Sequence, residues 1–322
     1  MLPTQSGTLL EVEQSSPDTL SITTLAEADF RQEALDAFTF PAYRHLVQAA
    51  LSDSAQAVGL VAFSGDIPMG LLLAEQTQSH CSLRSVYVPP ASRRQGIGSR
   101  LLERWEETSV RLGITCLETS YTSSLPAVAA FEALLRRAQW EEPTERYLFV
   151  RGIVKKVWEN AEFIKRLDRI APGFSTFSWQ ELTADERSEL ESRIAAGGAP
   201  DNLSPFYDEE HIEPISSTGL RYGSRIVGWQ INHWLPNEPG VLRYTRTYVE
   251  PKHQRLGRAI MMLRDAIRRH YNSALLDQYP YFVCDVAREM SAMQQFYQKH
   301  LIPYAEKSYR SYYCSKELAS CS

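Results

Sequence analysis

The sequence predicts a mixed α/β fold, an α+β arrangement of helices flanking a twisted, mostly antiparallel sheet, built twice in one chain. Three observations carry that expectation. Strand-like and helix-like stretches alternate from Leu20 onward. The same order of elements then returns, with Gly70 and Gly228 158 residues apart, Gly96 and Gly257 161 apart, and Phe131 and Phe296 165 apart. A repeat of that period means two similar domains rather than a solenoid of short units. Finally, 322 residues suffice for two independent cores.

In the first repeat, LSITTL reads as a strand, AEADFRQEALDAF as a helix, and PAYRHLVQAAL as a second helix opened by Pro41. AVGLVAF and PMGLLLAEQ are strands joined by a hairpin turn at Ser64-Gly65-Asp66. SLRSVYV is a strand stopped by Pro89-Pro90, since proline cannot donate to a ladder. GIGSRLLERWEETSVRLG reads as a helix closed by Gly113, CLETSY as a strand, LPAVAAFEALLRRAQW as a helix and RYLFVRG as a strand. The second repeat opens with the strand FSTFSWQEL and a helix, TADERSELESRIAAGG, that Thr183 can cap. A hairpin follows in GLRYGSRIVGWQINHW, then the strand VLRYTRTYV, the helix GRAIMMLRDAIRRHY, the strand PYFVCDVA, the helix SAMQQFYQKHL and a last strand, SYRSYYCS. The expected organisation is a polar arm over 1–18, a first domain over 19–152, a charged, helix-prone linker over 153–173 and a second domain over 174–322.

Composition narrows the class. Hydrophobic residues make up 43% and charged residues 23%, an ordinary globular balance that excludes disorder and coiled coil. The net charge of −5 argues against a nucleic-acid partner, and no apolar run is long enough for a membrane span. Five cysteines in no CxxC spacing suggest neither a disulfide framework nor a metal site, and a reduced cytoplasm is the expected compartment.

The motif that carries chemistry is SVYVPPASRRQGIGSRLL. A strand ends at Val88, a short loop follows, and Arg93-Arg94-Gln95-Gly96-Ile97-Gly98-Ser99 leads into a helix. Glycines let the main chain approach a phosphate, successive N–H groups point at its oxygens, and the helix dipole adds partial positive charge. The two arginines can add charge-assisted contacts. TYVEPKHQRLGRAIMML repeats the pattern, with Gln254-Arg255-Leu256-Gly257-Arg258-Ala259 after a strand ending at Val249.

A Q/R-x-x-G-x-G/A pattern after a strand ending V-x-P, in this element order, resembles the signature of the GNAT acyltransferase superfamily. Arg93, Gly96 and Gly98 match it in the first half, and Gln254, Gly257 and Ala259 in the second. The tandem arrangement also resembles that of the mycothiol synthases, without a substrate motif that ties the chain to them. The resemblance implies acetyl-CoA or another acyl-CoA as co-substrate, its pyrophosphate on the glycine loop. It implies a pantetheine arm along the preceding strand, at Val86 and Val88 or near Val249, with the acyl carbonyl by an N–H after a bulge around Val88 or Val249. It also implies direct attack on the thioester by a primary amine of a small molecule or peptide, with no metal. Non-catalytic acyl-CoA binding by degenerate domains is the alternative.

In relatives a tyrosine on the helix after the fifth strand protonates the leaving thiolate, and Tyr297 stands there in the second half. The first half has Glu132 and Leu135 at the nearest positions and no phenol. Neither fourth strand carries a carboxylate, so Asp285 and His233 remain as candidate bases. The aromatic-rich second half is the expected catalytic one, and Arg243 and Arg246 could anchor an acceptor carboxylate.

Overall fold

The computed structural model describes residues 20–28, 35–52, 54–77, 79–166, 172–254 and 257–318. The expected arm at 1–18 and residues 29–34 of the helix expected over 26–38 lie outside these residues; of the rest, 26–28 form a turn and bend rather than helix, Leu35 is helical and Asp36–Phe38 is a 3-10 turn. The strands are β1 (Ser21–Thr24), β2 (Ala57–Ser64), β3 (Ile67–Gln76), β4 (His80–Tyr87), β5 (Cys116–Thr122) and β6 (Thr144–Ile153), then β7 (Phe174–Ser178), β8 (Thr218–Tyr222), β9 (Arg225–Trp234), β10 (Val241–Val249), β11 (Tyr281–Ala287) and β12 (Ala305–Glu317). The helices used below are α1 (Arg44–Leu51), α2 (Ile97–Arg111), α3 (Val128–Arg137), α4 (Val154–Asn160), α5 (Glu162–Arg166), α6 (Ala184–Ala195), α7 (Arg258–Tyr271), α8 (Leu275–Gln278) and α9 (Ser291–His300).

The chain folds into two compact units that do not follow the sequence repeat. One takes the residues up to Tyr121, Leu125–Thr144 and the chain from Tyr312; the other takes Thr122–Ser124 and Glu145–Ser311. The cause is an exchange of last strands. β6, the final strand of the first repeat, pairs antiparallel with β11 from Tyr281↔Ile153 to Ala287↔Tyr147. The end of β12, final strand of the second repeat, completes the first unit: Glu141 donates its N–H to the Ser315 carbonyl and Lys316 reaches Glu106 at 2.6 Å. Duplicated strands carry equivalent patterns, so each can complete either sheet. The segment expected as a linker is also structural, for Val154, Val157, Ala161, Phe163 and Ile164 of α4 and α5 are buried in the second unit's core.

In the first unit, strands run in the order β1-β2-β3-β4-β5 and the end of β12. Alternation along each strand sends Leu72, Leu83 and Leu117 to one face, under α2 and α3, and Val61, Leu71 and Leu73 to the other, under α1. Helix α2 is amphipathic, burying Ile97, Leu101, Leu102 and Trp105 along one side, and Gly113 ends it in the left-handed conformation at φ 74°. The second unit orders its strands β6-β11-β10-β9-β8-β7, with α7 burying Met262, Leu263, Ala266 and Ile267. Thr183 caps α6 as expected, its hydroxyl accepting from the Glu186 N–H while Glu186 reaches back. Among the described residues no helix is long and apolar enough to cross a membrane.

Candidate functional site

Both units build the same main-chain frame. Strands β4 and β5 pair in parallel for four residues, from His80↔Cys116 to Leu83↔Thr119, and β10 and β11 do the same from Val241↔Tyr281 to Tyr244↔Cys284. Past those pairs each ladder ends and the strands part. The next residue is bulged out in both, Arg84 against β3 and Thr245 against β9. The expected place of the bulge is around Val88 and Val249; it falls four residues earlier because the added residue is what twists the strand away from its parallel neighbour. The hairpin glycines also have a shared reason: a Cβ at Gly70 would stand 3.2 Å from the Tyr87 carbonyl, and one at Gly228 2.7 Å from that of Tyr248.

From the end of β4 the chain turns through Pro89 into the loop before α2. Arg93 donates from Nε to the Val88 carbonyl at 3.0 Å. Arg94 and Gly96 both take the left-handed conformation, at φ 67° and 81°, and Gly96 is the residue that opens the helix. Arg93, Arg94 and Gln95 are exposed, Ile97 is anchored in the core, and Gly98 and Ser99 are half-buried, as are Val86 and Val88. None of the main-chain N–H groups from Arg94 to Ser99 has a partner among the described residues. A Cβ at Gly96 would meet nothing within 4 Å, and one at Gly98 only Leu134 at 3.8 Å and Val88 at 4.0 Å. The result is an open cradle of unused donors at a helix N-terminus, with two arginines beside it. Such an arrangement favours an anion.

The second loop keeps the frame and changes the lining. Gln254 donates to the Val249 carbonyl at 3.0 Å, repeating the Arg93 bond at the equivalent position, and Gly257 opens α7 at φ 71°. Arg258 donates to the His253 carbonyl and lies over the Phe174 ring at 4.1 Å. Ala259, where the first unit has Gly98, packs on the buried cluster of Leu220, Val249 and Met262. Arg255 and Leu256 lie outside the described residues.

The candidate catalytic side chains of the second unit are already engaged. Tyr297 is 7% exposed, sits in the core with Cys284 and Leu301, and its hydroxyl reaches the Asp285 main-chain carbonyl at 3.5 Å. Burial raises its phenol well above the ordinary value, with the Cys284 thiol beside it. The Asp285 carboxylate is held by Arg243 at 3.0 Å. His233 is buried, with Nδ1 2.9 Å from the hydroxyl of the bulged Thr245 and Nε2 3.4 Å from an Arg246 nitrogen. Burial, then that guanidinium, hold its imidazole below the usual pKa, so it is neutral at pH 7. Register puts His233 opposite Arg243. His233 on β9 and Asp285 on β11 thus flank Arg243 on β10, while Tyr297 reaches the Asp285 main chain from α9. Arg246 stacks over Tyr207 at 4.5 Å, so neither arginine proposed for a carboxylate is idle.

Two side chains in the first unit, Tyr121 and Glu118, carry no functional mark in the sequence. Tyr121 on β5 donates to Glu132 of α3 at 3.0 Å and stacks on Tyr312 of the exchanged strand, 5.6 Å between centroids. So the first unit does hold a phenol, supplied by the strand rather than the helix. Burial and then the Glu132 carboxylate push it above the ordinary tyrosine range. Glu118, paired with Ser82 one step before the strands part, accepts from the Ser82 hydroxyl and from Tyr313 at 3.1 Å. Strand alternation marks Tyr121 and Glu118 as opposite-facing; the fold adds Glu132 and Ser82 from the same repeat, and Tyr312 and Tyr313 from the exchanged strand, as their partners. Elsewhere, Asp208, Glu210 and His211 bring ligand-type atoms within 4.8 Å of one another, with the imidazole already on Asp208 at 2.7 Å.

Comparison with known proteins agrees with this frame. Residues 19–135 match the model of the Acetyltransferase (GNAT) family. Among solved structures, a tandem GNAT protein from the clavulanic acid biosynthesis pathway is similar at TM-score 0.57 and 15% identity, over 94% of this chain and 100% of that one. A GCN5-related N-acetyltransferase from Sphaerobacter thermophilus is similar at TM-score 0.53 and 15% identity, over 94% and 96%. No curated protein matches the sequence significantly. The chain therefore has the tandem two-domain GNAT fold. The family whose model matches residues 19–135 is one of acetyltransferases.

Proposed function

We propose that the chain is an acyl-CoA-dependent N-acyltransferase whose donor site is the cradle of the first unit. The observation that carries the reading is the unlined loop at Gly96 and Gly98, whose free N–H groups face open space at the end of a strand that parts from its neighbour. In this reading the main chain from Arg94 to Ser99 holds the diphosphate, Arg93 and Arg94 neutralise it, and the free edge of β4 beyond Arg84 orients the thioester arm. A primary amine then attacks the thioester carbon directly: the C–N bond forms, the C–S bond breaks, and the amine's proton leaves to solvent or to the departing thiolate. Positioning supplies most of the rate in such a scheme.

The second unit is assigned support rather than chemistry, which reverses the expectation from sequence. Support for this comes from the enclosed Tyr297, the ion-paired Asp285 and the alanine that replaces the second cradle glycine. The test is thiol release from acetyl-CoA and longer acyl-CoA esters over a panel of primary amines. Arg93→Ala with Arg94→Ala is expected to raise the KM for the ester at least about tenfold, whereas Gln254→Ala leaves it unchanged. The converse pattern would move the donor site to the second unit. Binding of the ester with no turnover on any amine would favour the non-catalytic reading.

A further inference from the structure

We propose that the first unit takes a linear aliphatic diamine as its acceptor, one ammonium held by the Glu118 carboxylate while the other amine meets the thioester beside Ser85. The inference rests on the donor reading of the first cradle and adds the chemical class of the acceptor. Its ground is the place where β4 and β5 part. On the face under α2 and α3 the two strands are closed, with Leu83 and Leu117 in the core and Thr119 bonded to the Leu83 carbonyl at 3.1 Å. On the opposite face α1 covers Val61, Leu71 and Leu73 of β2 and β3, whereas Arg84 is exposed and Ser82 and Glu118 are half-buried. An acceptor therefore has access from that second face.

Two independent observations point to a cationic ligand there. Glu118 accepts from the Ser82 hydroxyl and from Tyr313 at 3.1 Å, and no cation pairs with it among the described residues. Arg84, two positions along β4 from Ser82, is committed to Glu75 at 2.8 Å. Other carboxylates add to the negative field, for burial and then Glu317, Glu118 and Glu141 raise the neighbouring Cys116 thiol. Two hydroxyls orient the Glu118 carboxylate without neutralising it, which an ammonium does. The second observation is Ser85, 6% exposed, whose hydroxyl makes no hydrogen bond among the described residues. A buried hydroxyl normally has a partner. Ser85 pairs with Leu73, which faces α1, so it lies on the Glu118 face, just past the bulge at Arg84. Its lone pairs are placed to accept from an amine N–H where the thioester arm runs. The β3 partners of Ser82 and Ser85, Glu75 and Leu73, are two residues apart, so the two ends of the site stand about 7 Å apart along the strand. A short methylene chain with an amine at each end spans that distance.

The test is calorimetric titration of the full chain, saturated with coenzyme A, with cadaverine, pentylamine and δ-aminovalerate. These amines share one length, and their far ends are cationic, neutral and anionic. Cadaverine is expected to bind at least about tenfold tighter than pentylamine, and δ-aminovalerate weaker than either. Glu118→Gln should bring cadaverine down to the level of pentylamine while pentylamine itself is unchanged, and Ser85→Ala should weaken both by the same factor. Equal affinity for cadaverine and pentylamine, tighter binding of δ-aminovalerate, no binding of any of them, or a cadaverine preference that survives Glu118→Gln would each overturn the proposal. All but the last of these are read on the unmodified chain, so they do not depend on a variant that folds. The binding order decides the class of acceptor, whereas thiol release from acetyl-CoA over the same amines decides acyl transfer, and the failure of one is thereby distinct from the failure of the other.

Discussion

Gly98→Ala separates stability from binding in a way only the cradle reading explains. Gly98 is the second residue of α2, and the methyl added there would rest in ordinary contact, 3.8 Å from Leu134 and 4.0 Å from Val88. The substitution therefore clashes with nothing. Alanine costs less entropy than glycine in a helix, by about 0.5 kcal/mol in a first turn. At about 2–4 °C per kcal/mol for a domain of this size, the melting temperature should rise by about 1–2 °C. Affinity should move the other way. The methyl stands where a diphosphate must approach the main-chain N–H groups, and loss of one hydrogen bond to a charged group costs about 1.5–3 kcal/mol, or about 10- to 100-fold in Kd. Differential scanning calorimetry and titration with coenzyme A read the two effects on one sample. Gly96→Ala should lose both properties, since φ 81° strains any L residue by about 1 kcal/mol. Unchanged coenzyme affinity in Gly98→Ala would refute the cradle as the diphosphate seat.

Tyr297→Phe should leave kcat within about twofold, since the hydroxyl is enclosed in the core between the Asp285 main-chain carbonyl at 3.5 Å and the Cys284 thiol; a fall of 100-fold would restore it as the acid. Stability should rise with pH between about 4 and 6.5 through His270, whose Nε2 donates to the Tyr279 carbonyl at 2.7 Å while Nδ1 accepts from Tyr244. Burial lowers this imidazole to about 4. The unfolded chain therefore binds the extra proton in that window, and the contribution, about 3 kcal/mol, is complete above pH 6.5 and lost as pH falls to 4. Urea melts of His270→Gln should show a shallower slope there, and an unchanged slope would exclude the histidine. A chain ending at Ser311 should lose the first unit alone, because it removes Tyr312 from Tyr121, Cys314 from the core and Lys316 from Glu106. Hydrogen exchange would then rise over β2 to β5 and stay low over β8 to β11; protection lost in β8 to β11 instead would contradict the strand assignment.

Much of the fold was legible because its determinants are local. Period-two and period-3.6 patterns, the prolines after β4 and β10, and Gly113 each act within a few residues, and the elements they mark are present. Strand pairing across the duplication was not legible. β6 and the end of β12 are equally good last strands for either sheet, and which sheet each joins is decided by long-range contacts such as Glu141 with Ser315. The same limit applied to the site. The cradle was readable because glycine at a left-handed φ leaves a mark in sequence. Tyr121 with Glu132, eleven positions apart, could only be found once α3 was folded back on β5.

The two copies divide what duplication preserves from what it releases. Main-chain devices are kept: four parallel pairs, a bulge in the same register, and a side chain from the loop bonded to the carbonyl at the strand end, Arg93 to Val88 and Gln254 to Val249. These devices set the course of the strand, and losing any would misplace the loop itself. Side-chain chemistry is not held that way. Beside the bulge, Arg84 pairs with Glu75 in one unit, while Thr245 bonds to His233 in the other. Gly98 in the first copy corresponds to Ala259 in the second, and Glu132 to Tyr297. Gly257 is as open as Gly96, with nothing within 4 Å of a Cβ, so the copies differ in the position two residues on, Gly98 against Ala259, and in Arg258, which lies over Phe174. Unpaired N–H groups open every helix, so what sets the first copy apart is its second glycine and its exposed arginine pair, the features that the Gly98→Ala and Arg93→Ala with Arg94→Ala variants test.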